Sequence, residues 1–298
     1  MIELLLDFLL QLLLYLLRMP ILNYLEKLIS CLFSSHKKPS LDVLHKSDNF
    51  IIVNKPFDIL INSDDSKVKP TVQTLLKDTF PNLANSDLFH EFHFANRLDY
   101  STSGVMCIAL TKTSCSAAVK AFEKRHAKKY YLALLRGHLE EEFTNVVQGV
   151  GEDRRHVKGS HKMCVASDEN CQSPRDASTK IMILSKGLYN GKEATKVLIR
   201  PHTGRRHQIR VHCQFIGHPI IGDYTYGRSE DKRPYRMFLH SYRLILPNEI
   251  EDLDVQSKDP FTESDPKIKW VPKDVINKLE ESSFEKINRD MMNEICRN

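Results

Sequence analysis

Strand-like and helix-like stretches follow one another along this chain without a repeating β-α-β rhythm, and that irregularity restricts the fold more than any other feature. Residues 49–56, 105–110, 130–135 and 195–200 are short apolar or aromatic runs of strand length, and residues 57–63 continue the first as a second strand-like run. Between them, residues 71–80 place Val72, Leu75, Leu76 and Phe80 at helical spacing. Residues 111–125 do the same with Ala117, Ala118, Ala121 and Phe122, and residues 207–216 stop at Gly217, His218 and Pro219. A parallel sheet would need a helical crossover at regular intervals. The order found here predicts an α+β fold with a largely antiparallel mixed sheet flanked by helices. Residues 149–178 turn polar, rich in Gly, Ser, Asp and basic residues, and read as a long irregular insertion.

The two ends differ from the middle. Residues 1–17 are nearly all apolar, interrupted by Glu3, Asp7 and Gln11 four residues apart, so their polar groups form one narrow helical stripe. Arg18 and Pro20 end that pattern and residues 21–33 begin a second one. The acidic residues argue against a transit or signal peptide, and the uninterrupted apolar run is short for a membrane span. A hairpin packed on its own domain, a membrane-surface anchor and a partner-binding hairpin all fit the pattern. A polar linker follows at residues 34–40. The expected organisation is a hydrophobic helical extension over residues 1–36, a catalytic domain over 37–250, and a charged extension over 251–298 whose residues 275–295 form an amphipathic helix.

With 298 residues, 41% of them hydrophobic, the chain can bury a full-sized core, and its net charge of +5 permits an RNA partner without requiring one. Seven scattered cysteines, with no CxxC pair, suit reduced intracellular thiols better than a stapled secreted fold. His90 and His93 lack a second ligand pair at zinc spacing, so no metal is expected.

Chemistry concentrates in four ordered segments: NRLDYSTSG (residues 96–104), KKYYLALLRG (128–137), TGRRHQIRVHCQFIGHPIIGDYTYG (203–227) and MFLHSYRL (237–244). In the first, an Asp sits beside an Arg in a hydroxyl-rich turn closed by Gly. A carboxylate there commonly bonds its own backbone. Together the four resemble the catalytic core of RNA pseudouridine synthases of the RluA type, among them the animal RNA pseudouridine synthase domain-containing proteins. The resemblance spans residues 40–247.

That resemblance implies an isomerase that converts uridine to pseudouridine in RNA, with no cofactor because the reaction is redox-neutral. Asp99 takes the role of the family's catalytic carboxylate. It could stabilise oxocarbenium-like charge, attack covalently or remove a sugar proton. Arg210 is the implied ion-pair partner that aims it, offering donors in fixed geometry. Tyr131 is the implied tyrosine that stacks on the target base and takes part in proton transfer; Tyr130, adjacent on a strand, must face the other way. Arg97 would contact RNA or the flipped nucleotide, Leu239 would wall the base pocket, and Lys129, Arg205 and His207 complete the implied substrate-binding set.

Two basic clusters are candidate RNA contacts: Lys124, Arg125, Lys128 and Lys129, and Arg154, Arg155, His156, Lys158 and Lys162. Asn96 stands where the family motif has His, and it motivates a second reading, an RNA-binding homologue without catalysis that acts in RNA folding or ribosome assembly. The small N-terminal RNA-binding domain of the family is not evident. The expected partner is transfer, ribosomal or messenger RNA, with membrane or protein contact through residues 1–36. The protein is expected to be an intracellular monomer, cytoplasmic in the first instance, with mitochondrial, nuclear and membrane-associated settings as alternatives.

Overall fold

Seven consecutive residues, SGVMCIA, are buried from Ser103 to Ala109, and a strand covered on both faces is the arrangement such a run supports. In the computed structural model, which describes residues 41–155, 161–227, 234–265 and 267–295, this strand lies inside a large mixed sheet. The chain begins with the hairpin β1 (Asp42–Lys46) and β2 (Phe50–Lys55), then α1 (Val72–Thr79), β3 (His93–Phe94), β4 (Ser103–Ala109) and α2 (Lys112–Glu123). It continues through β5 (Lys128–Arg136), β6 (Phe143–Val147), β7 (Val150–Asp153), β8 (Met163–Val165), β9 (Cys171–Arg175), β10 (Ser178–Tyr189) and β11 (Lys192–Pro201). After α3 (Gln208–Phe215) come β12 (Leu239–Leu246), β13 (Leu253–Gln256), β14 (Trp270–Val275) and α4 (Glu281–Ile295).

Both α1 and α2 start at a threonine. Thr71 and Thr111 each accept the backbone N–H three residues on, from Thr74 and Ser114, and the hydroxyl at that third position accepts the cap's own N–H in return. This reciprocal pairing satisfies two otherwise orphan donors at each helix start.

The main sheet runs in the order β1-β2-β4-β12-β5-β11-β10-β14, with β3, β13 and β6 added at its sides. Every pairing is antiparallel except β4 with β12, which run parallel through His240 opposite Ser103 and Ser241 opposite Gly104. The α+β expectation therefore holds. Alternation along β2 and β4 sorts side chains to the two faces. Phe50, Ile52, Val105, Cys107 and Ala109 meet Ala118 and Ala121 of α2, whereas Ile51, Val53, Met106 and Ile108 join the larger core.

Several stretches depart from the sequence-based expectation. Residues 149–178 are not irregular: they fold into a separate three-stranded sheet, β8-β7-β9. The strands are only three to five residues long, too short to leave an alternation to read. Residues 57–63 do not form a strand. Asp58 has φ of 54°, which breaks an extended chain, and only the isolated bridge from Leu60 to Thr71 remains. The C-terminal helix starts at Glu281 rather than 275, because Val275 is still paired with Ser185 in the sheet. Residues after 250 add β13, β14 and α4 to the same sheet and core, with Phe284 and Ile287 buried. The expectations for residues 1–36, His156 and Lys158 lie outside the described residues. No helix among the described residues is long and apolar enough to cross a membrane.

Candidate active site

The Asp99 turn is fixed from three sides. Its own backbone closes it, with Thr102 N–H donating to the Asp99 carbonyl at 3.1 Å. From β2, the fully buried Lys55 donates to the carbonyls of Tyr100 at 3.0 Å and Pro56 at 2.8 Å. Burial lowers the Lys55 ammonium to a pKa of about 7, against the pull of Asp58 and Asp99. From below, Asn96 accepts the Cys107 N–H on its side-chain oxygen at 2.8 Å, tying the start of the turn to β4. An amide serves this purpose, so Asn96 has a structural job at the position where the family motif has His.

Gly104 then lets β4 approach β12. A Cβ there would lie 2.1 Å from the Ser241 carbonyl oxygen, and φ is +114°. Beneath the turn runs a buried chain of polar groups. Arg236, a donor only, bonds Ser103 Oγ. Ser257 spends its proton on the Tyr242 carbonyl at 3.3 Å, so His240 donates to Ser257 from Nε2 at 2.6 Å and accepts the Ser103 hydroxyl on Nδ1 at 2.6 Å. Burial, reinforced by Arg236, pushes the His240 pKa down to about 3, so the ring is neutral, as this relay requires.

The carboxylate of Asp99 does not bond its own turn. Its Oδ2 receives Arg210 Nη1 at 3.2 Å, and His207 Nε2 lies 4.0 Å away. Asp99 Oδ1 has no hydrogen-bond partner among the described residues. Arg210, on α3, is itself clasped by Asp223: Nε to Oδ2 at 2.7 Å and Nη2 to Oδ1 at 2.9 Å. Asp223 is buried and also accepts the backbone N–H of Thr225 and Tyr226, both at 3.1 Å. Burial works against the Arg210 charge, but the Asp223 bonds and the field of Asp99 outweigh it and raise its pKa above the ordinary value. The guanidinium also lies 5.0 Å from the centre of the Tyr226 ring.

Tyr226 connects this cluster to the three-stranded sheet. Its hydroxyl accepts Met163 N–H at 2.9 Å and lies 2.9 Å from His207 Nδ1. Burial, opposed in part by Asp99, lowers the His207 pKa to about 4, which leaves the imidazole neutral beside the carboxylate.

Tyr131 and Tyr130 point to opposite faces of β5. Tyr130 packs on Phe284 and donates to Asn288 of α4 at 3.0 Å. Tyr131 lies opposite Ser241, and Ala133, two residues on, lies opposite Leu239, so Tyr131, Leu239 and Ser241 share one face. Burial raises the Tyr131 hydroxyl to a pKa of about 12; the Asp99 charge adds to this and a Ser241 hydrogen bond opposes it. The group is a phenol at neutral pH, able to donate.

The remaining expected residues are distributed around this centre. Arg97 is exposed on the turn, and Leu239 is buried. Half-buried Lys129 donates to the Thr203 carbonyl at 3.4 Å, and half-buried Arg205 donates to the Asp176 carbonyl at 3.0 Å. In the second basic cluster, Arg155 is taken up by Asp153 and Asp168.

A family model for RNA pseudouridylate synthases matches residues 49–215, more than half of the chain and inclusive of Asp99, Tyr131 and Arg210. The chain belongs to this family. RNA pseudouridylate synthase domain-containing protein 1 of Danio rerio is 44% identical over 242 residues, covering 81% of this chain and 82% of the relative. The dual-specificity RNA pseudouridine synthase RluA of Pasteurella multocida is 32% identical over 71% of this chain and 89% of its own length. The structure of the human RNA pseudouridylate synthase domain-containing protein 1 superposes with a TM-score of 0.72 at 35% identity, covering 84% of this chain and 95% of that one. This chain is thus an RNA pseudouridine synthase of the RluA type, an isomerase whose substrate is RNA.

Sequence reasoning passed over Lys55, Asp223, Tyr226, Arg236 and His240 in the synthase core. Asp223 and Tyr226 stand in the GDYTYG run next to the HQIR motif, where a buried Asp thirteen residues after Arg210 is the only available signal.

Proposed function

We propose that the chain isomerises a uridine in structured RNA with Asp99 as the essential carboxylate. The observation that carries this reading is the unequal treatment of its two oxygens. Oδ2 is fastened by an Arg210 that Asp223 holds rigid, while Oδ1 has no hydrogen-bond partner among the described residues. A carboxylate oriented in this way can face the sugar and stabilise the charge that develops as N1–C1′ breaks. The base then turns, C5 bonds C1′, the C5 proton leaves and N1 regains one, so the reaction balances without an outside group. Tyr131, a buried phenol, offers a flat ring to the extruded base and a hydroxyl for the proton step. Leu239 on the same face supplies the apolar wall, and neutral His207 a hydrogen-bonding edge beside the carboxylate.

The substrate class follows from the relatives, whose names specify RNA and, for the bacterial protein, dual specificity. Transfer, ribosomal or messenger RNA with a uridine in an accessible loop fits, because such enzymes act on a base taken out of its stack. The free thiols Cys107, Cys115, Cys164, Cys171 and Cys213 suit a reducing, intracellular setting. The test is to incubate the purified protein with RNA from cells lacking the gene and map pseudouridines by position. New sites that match those lost in the mutant cells are expected. RNA that is bound but unchanged would favour the non-catalytic reading.

A further inference from the structure

Beyond the Asp99 turn, four cationic side chains and a histidine from separate segments gather where the start of β5 meets the loop into α3. Arg125 comes from the turn after α2, Lys129 from β5, Arg175 from the end of β9, and His202 and Arg205 from the segment after β11. The backbone holds them there. His202 N–H donates to the Ser178 carbonyl at 2.9 Å. Arg205 Nε donates to the Asp176 carbonyl at 3.0 Å, next to Arg175 in sequence. Lys129 Nζ lies against the Thr203 and Gly204 backbone, where a Cβ on Gly204 would stand 3.3 Å from it.

These cations act on one another. Burial and then Arg175 and Arg125 depress the Arg205 pKa, opposed by Asp176 alone. Burial and then Arg125, Arg200 and Lys129 depress that of His202, and burial brings Lys129 down to about 8. Elsewhere on the surface cations find acids: Arg155 with Asp153 and Asp168, Arg243 with Asp254 and Glu281, Lys286 with Glu142. Among the described residues, Arg125, Lys129, Arg175 and Arg205 have no carboxylate ion pair. Asp176 acts on Arg205 but the four cations outnumber it, and an excess of like charge weakens the fold unless an anion offsets it.

We propose that this cluster is a phosphate-binding site for the RNA backbone beside the target uridine. It rests on the reading of the Asp99 cleft and extends it to the path of the strand. Lys129 is two residues from Tyr131 on the same face of β5, about 7 Å along the strand. A phosphate at Lys129 therefore belongs to a nucleotide next to the one held at Asp99. Arg125 and Arg175 present free planar donor forks, the geometry that suits phosphate oxygens. On the insertion side, Arg175 and Arg205 border a groove of about 430 Å³ with Gly151, Glu152, Gln172 and Pro174, room enough for the chain to continue past one carboxylate set against two guanidinium groups. A negatively charged protein segment could meet the same charges, but continuity with the uridine cleft favours RNA.

The test measures binding of a fluorescent 20-nucleotide uridine-rich stem-loop as KCl is raised. The double variant Arg125→Ala/Arg175→Ala is compared with Lys267→Ala/Lys273→Ala, which removes the same charge from exposed positions at and before β14. Arg125 and Arg175 are exposed, so neither change disturbs packing. The first variant is expected to bind about tenfold more weakly at 100 mM KCl. Its log–log salt slope should be shallower by about 1–2, the loss of two phosphate contacts, while the control matches wild type. Equal binding and slope for the two variants would overturn the site, as would an affinity for poly-glutamate that depends on Arg125 and Arg175 while RNA binding does not. Failure of the isomerase reading would look different, with normal cluster-dependent binding and no pseudouridine from wild type.

Discussion

One guanidinium, that of Arg210, serves two carboxylates unequally. Asp223 takes two of its donors in a fork and Asp99 only one, so Asp223 fixes the position from which Arg210 reaches Asp99. Asp223→Asn leaves an amide that can accept one of the two bonds, and Arg210 is then free to swing toward Asp99. The expected result is a fall in kcat of about 100-fold, the scale of a small misplacement of a catalytic group, with RNA affinity unchanged. Single-turnover kinetics alongside equilibrium binding measures both. Asp99, Tyr131 and Arg210 could be named as candidates from the sequence because each sits in a motif of the family. Lys55 and Asp223 were not legible as site residues. Lys55 acts through backbone carbonyls that carry no sequence signature, and Asp223 through a buried pairing that only the fold brings about.

At the scale of elements, the parallel contact between β4 and β12 is what sets the Asp99 turn over the β5–β12 face. It depends on Gly104, where any side chain would collide with backbone. Gly104→Ala is expected to lose about 1–3 kcal/mol of stability, the usual penalty of overpacking, and to reduce activity through displacement of the turn; urea unfolding of the two proteins gives the difference directly. Long apolar strands such as β4 and β5 were readable from sequence, since burial on both faces leaves runs of apolar residues. β10 was missed although seven of its residues in a row are buried, because Lys and Ser flank its apolar centre. The three-stranded insertion was missed for the opposite reason. It packs through Val150, Met163 and Ala177 against Val211 of α3 and Tyr226, contacts made across the chain rather than along it.

For the whole molecule, neutral histidines with depressed pKa values shape the acid limit, among them the buried His240 and the half-buried His207. His240 and His207 have native pKa values of about 3 and about 4, against 6.5 for the unfolded chain. Between those values the unfolded chain binds more protons, so stability falls as pH drops from about 6.5 toward 4. Tm is expected to decline steadily over that range, and His240→Gln, which cannot take up the proton, to flatten the decline while lowering Tm at pH 7. A decline of equal slope in the variant would assign the acid sensitivity elsewhere. Removing residues 1–36 is expected to leave the chemistry intact while altering solubility or membrane association. Asp99, Tyr131, Arg210 and the elements that hold them all lie between residues 50 and 246. Activity assays and fractionation of tagged full-length and truncated protein test this together.

In the mechanism proposed above, the Asp99 carboxylate carries the isomerisation. RNA labelled with tritium at C5 of uridine reports it directly, because forming pseudouridine releases that hydrogen to water. With substrate RNA bound to saturation, wild type is predicted to release tritium in step with pseudouridine formed. Asp99→Asn is predicted to bind the RNA equally well and release none. Release by Asp99→Asn at a rate near that of wild type would contradict the account.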